Sequence, residues 1–187
     1  MYAIAALIAI VISFFAYQYW KYNASDQGAP YVAMEHPVVE RVLRLAKLTE
    51  EDVLYDLGSG DGRIPIAAAL TYHCKAVGIE IDKLRHLYAQ YQRFILRLAD
   101  KVTFLNKNIF NLNLSEATVC IIYLTEQANQ ALEEKLLTEL KPGTLVIAPS
   151  FPFTNWTPIL VDQHPELTTP WGPTYFYEIG RSNKKAL

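Results

Sequence analysis

Hydrophobic and polar positions follow two rhythms along most of this chain. Short apolar runs (Val53 to Tyr55, Lys75 to Glu80, Lys101 to Leu105, Ala117 to Leu124 and Thr144 to Ala148) have the aliphatic and β-branched content of buried strands. Between them apolar residues recur at helical spacing. Val38, Val39, Val42, Leu43, Leu45 and Ala46 follow Pro37, and Ile64 to Leu70 carries Pro65 in its first turn. A third helix runs from the capping residue Asp82 to about Leu98, and a fourth from Glu126 to Leu140, stopped by Lys141-Pro142-Gly143. Strand and helix in succession predict an α/β fold, a Rossmann-like, doubly wound, mostly parallel sheet. The end of the chain changes rhythm. Proline and aromatics cluster at Phe151-Pro152-Phe153, Trp156-Thr157-Pro158 and Trp171-Gly172-Pro173. Two runs, Ile159 to Gln163 and Thr174 to Ile179, have no helix between them, which predicts an antiparallel edge to a seven-stranded sheet.

Tyr2 to Trp20 stand apart, with no charged side chain. As a helix this run would extend about 28 Å, close to the hydrocarbon thickness of a bilayer. Tyr17, Tyr19, Trp20 and Tyr22 gather beside Lys21 as an aromatic belt and its cation do at a membrane surface. The reading that uses all of these features is an uncleaved single-pass anchor over residues 1–22. A cleaved signal peptide lacks its basic start and its small-x-small site, and a core or oligomer helix is the third reading. Lys21 on the carboxyl side places the globular part in the cytoplasm by the positive-inside rule. Residues 23–36 then form a linker and pre-domain segment, and residues 37–187 the globular domain.

Composition narrows the picture. The 187 residues are 51% hydrophobic, ample for one core, and a formal charge of −2 gives no overall attraction to nucleic acid. Cys74 and Cys120 have neither metal nor disulfide spacing, and His36, His73, His86 and His164 are scattered. No metal site is expected, and the cysteine usage suits a reducing compartment.

The candidate chemistry begins at Val53 to Arg63, VLYDLGSGDGR, which reads as strand, tight turn and helix. Gly58, Gly60 and Gly62 permit positive φ and leave a ligand access to the main chain. In an open α/β sheet this turn lies where ligands bind, beyond the carboxyl ends of the strands. A dinucleotide fingerprint would face a pyrophosphate, but Asp56 and Asp61 would repel one and suit a sulfonium or ammonium group. Glu80, ending the second strand, is placed to accept from both hydroxyls of a ribose. A cationic nucleoside matches the pattern better than a nicotinamide dinucleotide.

These residues resemble the class I S-adenosylmethionine-dependent methyltransferases, with their D-x-G-x-G-x-G motif and the acid ending the next strand. The resemblance implies that Asp56, Gly58, Gly60 and Asp61 surround the methionine end of S-adenosylmethionine, with Leu57, Ser59 and Gly62 completing the turn. It implies ribose binding by Glu80, beside Ile81, and an adenine contact from Asn108 and Ile109. Pro30-Tyr31-Val32, the Asp56 to Ile64 motif and the F-P-x-x-x-W-x-P element (Phe151, Pro152, Trp156, Pro158) look like the membrane-associated protein-lysine methyltransferases of the ATP synthase c-subunit and adenine nucleotide translocase type. That resemblance implies a protein substrate embedded in a membrane.

Methylation of lysine needs a neutral amine, and an ordinary lysine pays roughly 4 to 5 kcal/mol to be neutral at pH 7. Apolar and aromatic walls disfavour the ammonium and present π faces to a sulfonium. Tyr31, Tyr123 and Trp156 are the candidate walls, Tyr31 and Tyr123 also against the cofactor. Glu35 could accept the proton, and Thr125 and Glu126 follow the fourth strand where methyltransferases meet their acceptor. Each has an ordinary alternative: core packing for the aromatics, a solvated first turn for Glu35, a helix cap for Thr125. Tyr123-Leu124-Thr125-Glu126 replaces the Asn-Pro-Pro-Tyr of enzymes that methylate amide or base nitrogens. A small lipophilic acceptor, or a membrane-tethered binding module without catalysis, are the remaining readings.

Overall fold

The computed structural model describes residues 10–13, 31–163 and 172–183. The chain forms two compact units, Met1–Tyr31 and Val32–Leu187. In the first, residues 10–13 are helical and exposed. Among the described residues no helix is long and apolar enough to cross a membrane. The expected span at 2–20 lies, apart from residues 10–13, outside the described residues, as do the linker at 23–29 and Trp171.

The second unit is the α/β domain. Its elements are α1 (His36–Ala46), β1 (Val53–Leu57), α2 (Arg63–Tyr72), β2 (Lys75–Ile79), α3 (Lys83–Ile95), β3 (Val102–Leu105), a 3-10 turn at Ile109–Asn111, β4 (Val119–Ile122), α4 (Glu126–Glu139), β5 (Leu145–Pro149), β6 (Leu160–Asp162) and β7 (Thr174–Glu178). They form a seven-stranded sheet in the order β3-β2-β1-β4-β5-β7-β6. The first five strands are parallel, and β7 pairs antiparallel with both β5 and β6. The order reverses between β1 and β4, so the turn after β1 and the segment after β4 share one crevice at the carboxyl edge.

Period-two alternation sorts the strands onto two cores. Leu54 and Ile147 face Val38, Val42, Leu43, Ile64 and Ala68 on the side of α1 and α2. Tyr55, Leu57, Val146 and Ala148 face Leu132 and Leu136 of α4, with Phe153, Trp156 and Tyr177. Pro37 lies in the first turn of α1, and Lys47 ends that helix in the left-handed region. Asp82 caps α3 by accepting from Arg85 N, and Thr125 caps α4 by accepting from Ala128 N. Arg41 of α1 forks onto Asp162 of β6 at 2.6 and 2.7 Å, joining the first helix to the last strand pair.

Candidate cofactor and acceptor site

The glycine turn is built against its neighbours before any ligand is considered. Gly58 N and Ser59 N both donate to Ile79 O at 2.9 Å, drawing the turn over the end of β2. A Cβ at Gly58 would stand 2.6 Å from Leu124 Cδ2, and one at Gly62 would stand 2.5 Å from Phe104 Cζ. Both residues have positive φ, 91° and 84°. At these positions glycine therefore admits the protein's own side chains as well as a left-handed backbone.

Glu80 fastens the turn. Its Oε2 accepts from Gly60 N at 2.8 Å and its Oε1 from Asp82 N at 2.7 Å, while Arg85 Nη1 stands 3.9 Å away. Asn106, just past β3, donates to the carbonyls of Glu80 and Ile81 at 2.9 and 3.0 Å. The acid expected to meet a ribose thus also sets the geometry of the loop, and each carboxylate oxygen retains a lone pair for a second donor.

Asp56 and Asp61 differ in kind. Arg63 Nε donates to Asp61 Oδ1 at 2.9 Å and Nη2 to Oδ2 at 2.5 Å, so the charge of Asp61 already has a partner. Arg63 Nη1 continues to the carbonyl of Met34 at 2.6 Å. Asp56 is 2% exposed, and its Oδ2 has no hydrogen-bond partner among the described residues, nor has the buried Ser59 Oγ. Burial, then the nearby charges of Glu80 and Asp61, push the Asp56 carboxyl well above its ordinary range. A buried, unmatched carboxylate beside two others is a site for a cation, and the cationic methionine end of S-adenosylmethionine meets that requirement.

Leu57 is core, whereas Ile81 is 43% exposed at the open strand end. Asn108 is exposed, and its side chain accepts from Phe110 N to start the 3-10 turn, leaving Ile109 packed on the α4-side core. Tyr123 follows β4 half-buried; burial raises its phenol, opposed by a hydrogen bond with Ser150. Thr125 is the helix cap already described. Glu35 is exposed, and it starts α1 through its carbonyl, which accepts from Val38 N and Val39 N, without a side-chain cap. Tyr31 falls in the first compact unit.

Trp156 is corrected from acceptor wall to core. It is 6% exposed, stacks on Phe153 at 4.5 Å, meets Tyr177 edge-on and donates from Nε1 to Glu133 Oε1 of α4 at 3.0 Å. Its ring is engaged on the α4 side by groups that packing alone explains. Sequence reading missed Ser150 and Asn129. Ser150, in the left-handed region at φ 65°, ends β5 and links to Tyr123. Asn129 is fully buried one turn into α4 and donates to Phe151 O at 2.7 Å. A polar residue directly after a buried strand, or inside a helix's buried stripe, is the signal for both.

This fold and this acid-lined turn define the S-adenosylmethionine-dependent methyltransferase class. The family profile described as the ANTKMT methyltransferase domain matches residues 56–160, and the chain belongs to that family. A protein-lysine N-methyltransferase of Saccharolobus islandicus is 39% identical over 132 residues, 69% of this chain and 81% of its own length. The ATP synthase c-subunit lysine N-methyltransferase of Xenopus laevis is 33% identical over 69% of this chain, which spans 56% of it. A solved RNA methyltransferase from Salinibacter ruber, in complex with S-adenosyl-L-homocysteine, aligns at TM-score 0.76 and 38% identity over 83% of this chain and 99% of its own. The cofactor is S-adenosylmethionine.

Proposed function

We propose that this protein transfers a methyl group from S-adenosylmethionine to the ε-amine of a lysine in a membrane protein, and that residues 1–22 hold its domain, 37–187, at the cytoplasmic face of a membrane. The observation that supports the cofactor half is the unmatched Asp56 carboxylate beneath the glycine turn. Support for the acceptor half comes from the Saccharolobus and Xenopus relatives, whose names both specify lysine.

When bound, the cofactor supplies an electrophilic methyl group on a sulfonium. Asp56 offsets its positive charge, while Glu80, fixed by Gly60 N and Asp82 N, keeps capacity for ribose hydroxyls. Asn108 and Ile109 flank the adenine. Tyr123, held by Ser150 and kept neutral by burial, gives the acceptor an aromatic wall that disfavours the ammonium form. The proton lost from the lysine leaves to solvent or to a carboxylate such as Glu35.

Two measurements test the reading. Calorimetry should detect binding of S-adenosylmethionine that is lost in Asp56→Ala and Glu80→Ala; an absence of heat in the intact protein favours a non-catalytic module. Incubation with methyl-labelled cofactor and isolated membranes should place the label on lysine in a polypeptide. Label confined to the lipid extract, or to RNA as the likeness to the Salinibacter RNA methyltransferase would suggest, excludes the lysine acceptor.

A further inference from the structure

The helix α3 is inside out. Its inward side is lined by Ala89, fully buried, and by polar residues that bond to the domain. Gln92 Nε2 donates to Asp61 O at 3.3 Å, Arg93 Nη2 to Ala99 O at 3.0 Å, and Arg85 approaches Glu80. The outward side carries Leu84, Leu87, Tyr88, Tyr91, Phe94 and Ile95, each between 51% and 80% exposed. At 100° per residue these six fall within about a third of the helix circumference, centred opposite Ala89. Such a stripe leaves several hundred Å² of apolar surface open in one patch, the upper end of what soluble monomers tolerate.

We infer that the outward face of α3 is a membrane-docking surface that lies in the headgroup layer of an anionic bilayer. Its composition is that of an interfacial helix: leucine, isoleucine and phenylalanine to enter the acyl boundary and two tyrosines to bridge to the headgroups. Charge selects the partner. From Lys83 to Ala99 there is no acidic residue, and exposed Lys83 and Arg97 stand at the two ends of the stripe, although the whole chain is net negative. The stripe is the convex face of a single helix rather than a groove, so a flat, deformable surface can cover all of it. The uncharged run from Tyr2 to Trp20, proposed above as an anchor, would bring the same chain to the same kind of surface.

The placement has a consequence for the site. The amino end of α3 begins at Asp82, whose backbone N–H is held by Glu80, so docking this helix sets the cofactor turn close above the headgroups. A lysine projecting a short way from the bilayer is then within the crevice's reach. This last step rests on the proposed lysine activity; the docking itself does not.

The test uses the full chain. Cys74 and Cys120 are buried and are its two cysteines, so Phe94→Cys gives one accessible thiol for an environment-sensitive dye, and Glu134→Cys on α4 gives the control. On phosphatidylcholine–phosphatidylglycerol vesicles carrying lipid spin labels, the dye at position 94 should be quenched at least threefold more than the dye at 134. Raising the salt concentration should weaken the difference. Cofactor binding, unchanged in both variants, verifies the fold. Equal quenching at the two positions, failure of the protein to float with the vesicles, or energy transfer between copies labelled at 94 without lipid quenching would each overturn the proposal, the last in favour of a second copy of the chain.

Discussion

At the scale of single residues, the motif's glycines and acids answer to different demands. Gly62 has a positive φ and holds the space filled by Phe104, so Gly62→Ala combines backbone strain with overpacking against a buried ring. It should cost roughly 2 to 4 kcal/mol in urea unfolding, with or without cofactor. Asp56 behaves in the opposite way. Without a cation its carboxylate opposes the fold, so Asp56→Asn should stabilise the cofactor-free protein by on the order of 1 kcal/mol while weakening cofactor binding about a hundredfold or more. Thermal unfolding and calorimetry on the same samples check both halves. A variant less stable than the parent would mean that Asp56 has a structural role the buried geometry does not display.

At the scale of elements, the assignment of Trp156 to the core can be measured. Trp156→Phe removes the donor to the partly exposed Glu133 Oε1 and trims a buried ring, at a cost of about 1 to 2 kcal/mol in stability. Turnover at saturating acceptor should stay within about twofold, because the ring packs among Phe153, Tyr177 and α4. An acceptor wall would show the reverse, a large kinetic loss at little cost in stability. The same residue marks the limit of sequence reading. The five parallel strands, the four helices and the antiparallel closing pair were legible because period and punctuation are local, and the turn after β1 was legible because its residue types are few. Which face of the sheet an aromatic joins depends on pairing across the sheet, and the sequence around Trp156 does not encode that pairing. Arg63 shows a related limit, since its neutralisation of Asp61 depends on a fork geometry visible only in three dimensions. The helix α3 was legible from its cap and composition, but the outward direction of its apolar stripe was not, because pattern alone assigns an apolar side to the interior.

For the whole molecule, two features set the response to mutation and pH. Arg41 and Asp162 are both largely buried and join α1 to the closing strand pair, so Arg41→Ala leaves a poorly solvated carboxylate and should destabilise the domain by about 3 kcal/mol. Asp52 and Asp56 give opposite pH dependences. Burial tends to raise the Asp52 carboxyl, but hydrogen bonds from Thr118 and Thr49 prevail and lower it, so its contribution holds above pH 3.8 and is lost as the pH falls through its native value. The Asp56 carboxyl is raised, so its contribution is complete below pH 3.8 and is lost as the pH rises through its native value. The stability gained by Asp56→Asn should therefore vanish below about pH 3.8. Cofactor affinity should fall with pH over the range in which Asp56 protonates, a trend calorimetry across pH can follow.

Arg63 ties two places together. Its guanidinium neutralises the loop acid Asp61 and, through Met34 O, holds the segment that leads into α1. Two ligands that each bias one arrangement of a shared clamp are thermodynamically reciprocal: were the proposed acceptor to bind beside that segment, whatever factor the cofactor gives to its binding, the acceptor would return to the cofactor. Whichever substrate binds first would then hold the other more tightly, with no order imposed on the pair. Arg63→Gln, which keeps a donor but loses the fork, should reduce that mutual factor toward one.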